Sequence, residues 1–280
     1  LTCVRTKINE YYITTGTGYA MHDFDWISRN IPSDLNAQLI DVTSSNAVLS
    51  LFGPRARDIL QLVTTNDVSH GSHPFGLAKQ ICIAGCPTLA MRITYVGELG
   101  WELHLPVEYA HTIYNKLIEA GSPLGLRNAG YRAIETLRLE KGYRAWSSDI
   151  GPDHTPDEAG LGWAVKMKSN ISFKGREAIA IQRAEGIKKI MATFTIDSNV
   201  ILSGRETIYR NGERCGWLSS AGFGHTIGKF IGMGYVRSDC YIDHDFVLSG
   251  DYELEVATKR VRANVCLKPL YDPNLERVKT

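Results

Sequence analysis

The chain is 280 residues long, room for one large domain or two smaller ones with a sizeable core. Its 31 basic residues stand against 30 acidic ones, a formal charge of +1, so neither nucleic acid nor an anionic membrane surface is attracted in bulk. No run of 18 apolar residues is present to cross a bilayer, and no targeting segment is visible ahead of the first strand-like residues.

Alternating side chains over residues 1–6 and 11–15 predict two strands broken at Asn9-Glu10. Gly16-Thr17-Gly18 then turns into a helix over about 19–29, ended by Pro32. A strand pair is expected over 38–42 and 47–52. The Gly53-Pro54 turn follows and leads into a helix over 55–63, for which Pro54 suits the first turn. Residues 81–83, 88–95 and 101–105 read as a β-meander, and 107–120 as a helix with Ala110, Ile113, Leu117 and Ile118 on its apolar side. A further amphipathic helix opens after Gly130. This mixed order predicts an α+β unit rather than regular βαβ repeats.

Beyond about residue 183 the texture changes. Short strands are expected at 190–196, 206–209, 217–220, 233–236 and 252–256, and Asn211-Gly212 is a two-residue hairpin signal because both positions tolerate positive φ. Glycine is frequent and helical pattern scarce, which predicts a small all-β barrel or sandwich. The expected domains are 1–183 and 189–280, with 183–189 as the linker.

Several motifs fail on inspection. Gly16-x-Gly18 resembles a dinucleotide fingerprint, but its third glycine would fall at Met21, too bulky for a helix packed over a pyrophosphate. Residues 222–229, GFGHTIGK, lack the four-residue glycine gap and the Ser or Thr of a phosphate loop. No GxSxG elbow occurs, and His22, His104 and His225 read on their own as packing or surface residues. The six cysteines (Cys3, Cys82, Cys86, Cys215, Cys240, Cys266) are scattered. Only Cys82 and Cys86 are close, with no second pair at zinc spacing, so no metal site is expected and all six read as reduced and structural.

Two stretches carry more. Residues 93–106, ITYVGELGWELHLP, place Tyr95, Glu98, Trp101 and Glu102 on a strand–turn–strand with glycine at 97 and 100. Residues 131–163, YRAIETLRLEKGYRAWSSDIGPDHTPDEAGLGW, open with the amphipathic helix and end in a loop at Trp163, expected to be buried. Both resemble the tetrahydrofolate-binding domain of glycine-cleavage aminomethyltransferases. They are more similar still to the C-terminal half of mitochondrial sarcosine and dimethylglycine dehydrogenases. The implied fold is a mixed-sheet, aminomethyltransferase-like folate-binding domain followed by a small β-barrel.

The resemblance also implies a site. Glu102 matches the glutamate that binds the 2-amino-4-oxo edge of the pterin, where a ring N–H and an exocyclic NH₂ lie side by side for a carboxylate to accept. Read without the resemblance, Glu102 is a cross-strand surface charge. Leu103 and His104 flank it in the implied pocket, Tyr95 matches a pocket tyrosine, and Trp163 stands where relatives have another. Arg132 matches a folate-contacting arginine or pairs locally with Glu135 or Glu140. The family's essential acidic residue is expected immediately upstream of Leu1, so no catalytic residue is assigned within the chain.

The resemblance implies capture of a one-carbon unit from an oxidised N-methylamine on tetrahydrofolate, in the mitochondrial matrix. FAD would belong to an N-terminal flavin domain beyond this sequence; the partners implied are folate and the small one-carbon donor, with neither nucleic acid nor membrane. The same architecture is shared by the pyruvate dehydrogenase phosphatase regulatory subunit, which leaves a non-catalytic regulatory role as the alternative.

Overall fold

The computed structural model describes residues 1–198 and 200–280. Chain contacts divide it into two compact units, the first made of Leu1–Thr94, Glu98–Asn128 and Arg277–Thr280, the second of Tyr95–Gly97 and Ala129–Glu276.

In the first unit, β1 (Thr2–Lys7) and β2 (Glu10–Thr14) form an antiparallel hairpin, followed by α1 (Ala20–Asn30). Then come β3 (Asn46–Phe52), α2 (Ala56–Val63), β4 (Ala78–Ile83), β5 (Cys86–Met91), β6 (Gly100–Pro106) and α3 (Ala110–Gly121). The four later strands make an antiparallel sheet in the order β3-β6-β5-β4. Period-two alternation sends Trp101, Leu103 and Leu105 of β6 to one face, where they join Ile59 and Leu60 of α2 and Ile113 and Leu117 of α3 in one core. Residues 38–42, expected as a strand, are irregular, and Ile40 and Val42 lie exposed with no neighbouring strand to bond.

The second unit holds α4 (Tyr131–Glu140), α5 (Arg176–Glu185), β7 (Ile187–Ile196), β8 (Thr207–Arg210), β9 (Glu213–Gly224), β10 (Lys229–Ile242), α6 (His244–Leu248), β11 (Tyr252–Val256) and β12 (Lys259–Cys266). A last short helix, α7 (Glu276–Lys279), straddles the boundary between the units. Six strands close into a barrel in the order β10-β7-β12-β11-β8-β9, filled by Ile190, Phe194, Leu218, Val236, Leu254 and their neighbours. On its wall Leu139 of α4 packs with Met191, Ile231, Met233 and Tyr235. The Asn211-Gly212 turn is as expected, with φ of 51° and 85° joining Arg210 to Glu213. Residues 183–189 are the end of α5, Gly186 and the first residues of β7.

Candidate functional site

The expected ligand residues fall in both units. In the first, Glu102 pairs in register with Ser50 of β3 and Met91 of β5, on the sheet face opposite the core. That face is partly open, since Ser50 is exposed and Val48, opposite His104, is 49% exposed. The Glu102 side chain is 24% exposed and accepts no hydrogen bond from the described residues. Leu103 must point the other way by the period of the strand, and its side chain is fully buried in the core, so only its backbone can meet a ligand on the Glu102 face.

His104 returns to the Glu102 face and is buried beneath it. Its Nδ1 lies 3.2 Å from the Tyr12 hydroxyl and its Nε2 lies 3.6 Å from Glu102 Oε2. The Tyr12 hydroxyl and Nδ1 share one hydrogen bond, while the Glu102 carboxylate lies beyond hydrogen-bond length from Nε2. Tyr12 also meets the imidazole edge-on, ring centroids 5.4 Å apart, and burial raises its pKa above the usual phenol range. The β1–β2 hairpin thus holds the imidazole that lies beneath Glu102. Nothing in the local sequence signals Tyr12, which lies 92 residues from its partner.

In the second unit Tyr95 stacks on Tyr143 at 6.0 Å and 17° and donates its hydroxyl to the Arg144 carbonyl at 3.1 Å. The residue is 36% exposed, but its hydroxyl end is enclosed, and that desolvation pushes its pKa up to about 12, keeping it a neutral donor. The turn that carries it closes at Gly97, whose φ is +77°; a β-carbon there would come within 2.8 Å of the Lys141 stem. Arg132 is exposed on the first turn of α4. The local partners considered for it are engaged elsewhere, Glu135 with Arg138 and Glu140 with the amides of Thr226 and Ile227. Trp163, expected to be buried, lies on a short 3-10 turn and is 78% exposed; the turn is held at the Gly162 carbonyl by Arg183 of α5 at 3.0 Å, which leaves the indole outside.

The stretch LRLEKGYRAW proves to be a set of buried charges, a role that sequence alone did not reveal. Arg138 is fully buried and donates to Asp149 at 2.5 Å, Ser220 at 2.8 Å, the Tyr143 carbonyl at 3.1 Å, and Glu135. Burial opposes its charge, but the bonds to Glu135 and the charge of Asp149 outweigh this and raise its pKa further. Glu140 accepts the amides of Thr226 and Ile227 at 2.6 and 3.0 Å, so the glycine-rich 222–229 segment is a hairpin turn clamped by a carboxylate. Lys141 donates to the Asp272 carboxylate at 2.7 Å and its carbonyl at 2.6 Å. Two surface depressions, one lined by Asn66, Gln80, Cys82 and Pro87 and the other by Met167, Phe173 and Arg176, include none of the expected ligand residues. All six cysteines are free thiols, and no group of three metal-ligating side chains occurs among the described residues.

Comparison with known proteins gives these arrangements a context. The family profile described as GCVT N-terminal domain matches residues 1–169, and that described as Glycine cleavage T-protein C-terminal barrel domain matches 189–272. The chain is 42% identical over 272 residues to human mitochondrial sarcosine dehydrogenase, covering 96% of this chain and 30% of that protein. It is 31% identical over 279 residues to the mitochondrial pyruvate dehydrogenase phosphatase regulatory subunit of Mus musculus, covering 95% of this chain and 32% of that one. It therefore spans about a third of the length of these relatives. The crystal structure of the glycine cleavage system aminomethyltransferase T from Bartonella henselae superposes with a TM-score of 0.77 at 24% identity, over 91% of this chain and 67% of that one, which fixes the fold. With the family's N-terminal domain over more than half its length and the family's barrel behind it, the chain belongs to the glycine-cleavage T-protein, or aminomethyltransferase, family.

Proposed function

We propose that this chain is the tetrahydrofolate-binding part of a sarcosine dehydrogenase-like mitochondrial protein. The protein would capture on folate the one-carbon unit released when an N-methylamine is oxidised. The oxidation itself would belong to a separate flavin-carrying part of the protein. One observation carries the reading: Glu102 presents a carboxylate on a partly open sheet face with no donor of the described residues bonded to it, backed by a buried imidazole. A carboxylate so placed fits two adjacent N–H donors of a flat heterocycle, and no other expected residue offers that acceptor pair.

When bound, reduced folate supplies the N5 amine that takes up the one-carbon unit, giving 5,10-methylenetetrahydrofolate. The residues of this chain bind and orient it. Glu102 accepts the ring N–H and exocyclic NH₂, with the His104 imidazole, bonded to Tyr12, lying 3.6 Å behind the carboxylate. In the second unit, taken by itself, Tyr95, with its hydroxyl tied to Arg144, offers a fixed aromatic face, and Arg132 offers an exposed guanidinium. Orientation and shielding from water are the contributions such a domain makes to trapping a reactive one-carbon unit.

Calorimetric titration with tetrahydrofolate tests this. Glu102→Gln keeps the shape but turns an NH₂ toward a donor, and should weaken binding by about 2–3 kcal/mol, tens- to a hundredfold in Kd. Unchanged affinity in a variant with an intact circular dichroism spectrum would remove Glu102 from the site. The likeness to the phosphatase regulatory subunit supports a second reading, a regulatory interaction module. Absence of any reduced-folate binding by the unmodified chain would favour it.

A further inference from the structure

The buried charges around Asp149 meet the backbone beside Tyr95. Asp149 is completely buried, and its Oδ2 accepts both the Arg138 guanidinium at 2.5 Å and the Ala145 N–H at 2.9 Å. Its Oδ1 accepts the Ser219 hydroxyl at 2.5 Å. Arg138 in turn holds the Tyr143 carbonyl at 3.1 Å. Residues 143–145 are thus pinned on both sides, and the carbonyl between the two pins, that of Arg144, receives the Tyr95 hydroxyl at 3.1 Å.

Peptide geometry joins these facts. The Arg144 C=O and the Ala145 N–H belong to one planar trans peptide, so they point in opposite directions. A carboxylate that holds the N–H on one side fixes the direction of the carbonyl on the other. The Tyr95 ring, stacked on Tyr143, is then anchored at its hydroxyl by a peptide plane that cannot rotate while Asp149 keeps its bond.

We propose that Asp149 is a positioning residue for Tyr95, acting through the Arg144–Ala145 peptide, with Arg138 and Ser219 holding the carboxylate in place. Its consequence for ligand binding rests on the reading of Tyr95 as a folate-contacting residue; the positioning itself does not. Asp149 touches no ligand in this scheme. It transmits order from the barrel strands, through Ser219 and Arg138, to one aromatic ring.

The test is a double-mutant cycle on the full chain with two readouts. The first is the Tyr95 ζ-carbon resonance in ¹³C-tyrosine-labelled protein, which responds to the phenol's hydrogen bond and needs no ligand. Asp149→Asn should move it, and Ser219→Ala, which keeps both charges, should move it less in the same direction. The second readout is the Kd for tetrahydrofolate. Tyr95→Phe and Asp149→Asn should each raise it about fivefold, and the double variant also about fivefold rather than about 25-fold, since a phenylalanine has no hydroxyl to anchor.

An unmoved Tyr95 resonance in folded Asp149→Asn, or in Ser219→Ala should the former fail to fold, overturns the proposal, as do Kd effects that multiply. If the resonance moves while Tyr95→Phe leaves Kd unchanged, the positioning holds and the folate role of Tyr95 fails.

Discussion

Glu102 and Glu140 stand in the two stretches that mark this chain's family, and their surroundings are opposite. Glu140 is 1% exposed, with two backbone amides bonded to one of its oxygens. Glu102 is partly open and accepts no hydrogen bond from the described residues. A carboxylate already satisfied by its own fold is a fastener, whereas one left with open lone pairs has acceptors to spare, as the proposed folate contact requires. The contrast separates two motifs that look alike as strings of letters.

The sharpest way to break the comparison is Glu140→Ala. It removes a buried acceptor from the Thr226 and Ile227 amides, and should lower unfolding stability by ~3 kcal/mol in urea titration. Glu102→Gln should do the reverse, leaving the unfolding midpoint within about 0.5 kcal/mol while weakening folate. Equal stability losses in the two variants would erase the distinction.

Acid sharpens it next. Burial lowers the pKa of His73 and also that of His154, which stacks on Tyr235. The unfolded chain therefore binds protons that the folded chain refuses, so stability is full above the ordinary imidazole pKa of about 6.5 and declines as pH falls through it. The urea midpoint should drop between pH 7.5 and 5.5, with both imidazoles still neutral by NMR below pH 6.5; a flat profile counts against it. The smallest effect belongs to Trp163→Ala. With that ring 78% exposed, stability should stay within about 0.5 kcal/mol, and a several-fold rise in Kd would mark a stacking role.

How much of this could be read from the sequence differs by region. The hairpin at residues 1–15, the strands of the 81–105 meander, the helices begun near residues 19, 55, 107 and 131 and the Asn211-Gly212 turn follow from local chemistry, and the structure has them, although residues 92–95 lie outside β5 and α5, α6 and α7 were not expected. The barrel strands came out too short on paper, because glycines that read as strand ends lie within strands. Gly216 and Gly232, which bound the expected strands at 217 and 233, are interior positions where a β-carbon would come within 2.0 Å of the Tyr235 carbonyl and 2.4 Å of the Leu218 side chain.

Strand β12 gave no hairpin signal, since its turn is Ala257-Thr258, both at positive φ without glycine or asparagine. The Glu102 motif was legible, but its support was not. Tyr12 arrives from a distant hairpin, and Asp149 matters through a peptide plane rather than through any residue pattern.

The three residues Tyr95–Gly97 have a wider consequence. They belong to the second unit, although the sequence on either side belongs to the first, and Arg277–Thr280 belong to the first after a long run in the second. The polypeptide therefore changes unit four times, and no single cut yields two complete halves. A gene truncated after Asn128 would encode a sheet carrying a three-residue fragment of its neighbour and missing its own last segment.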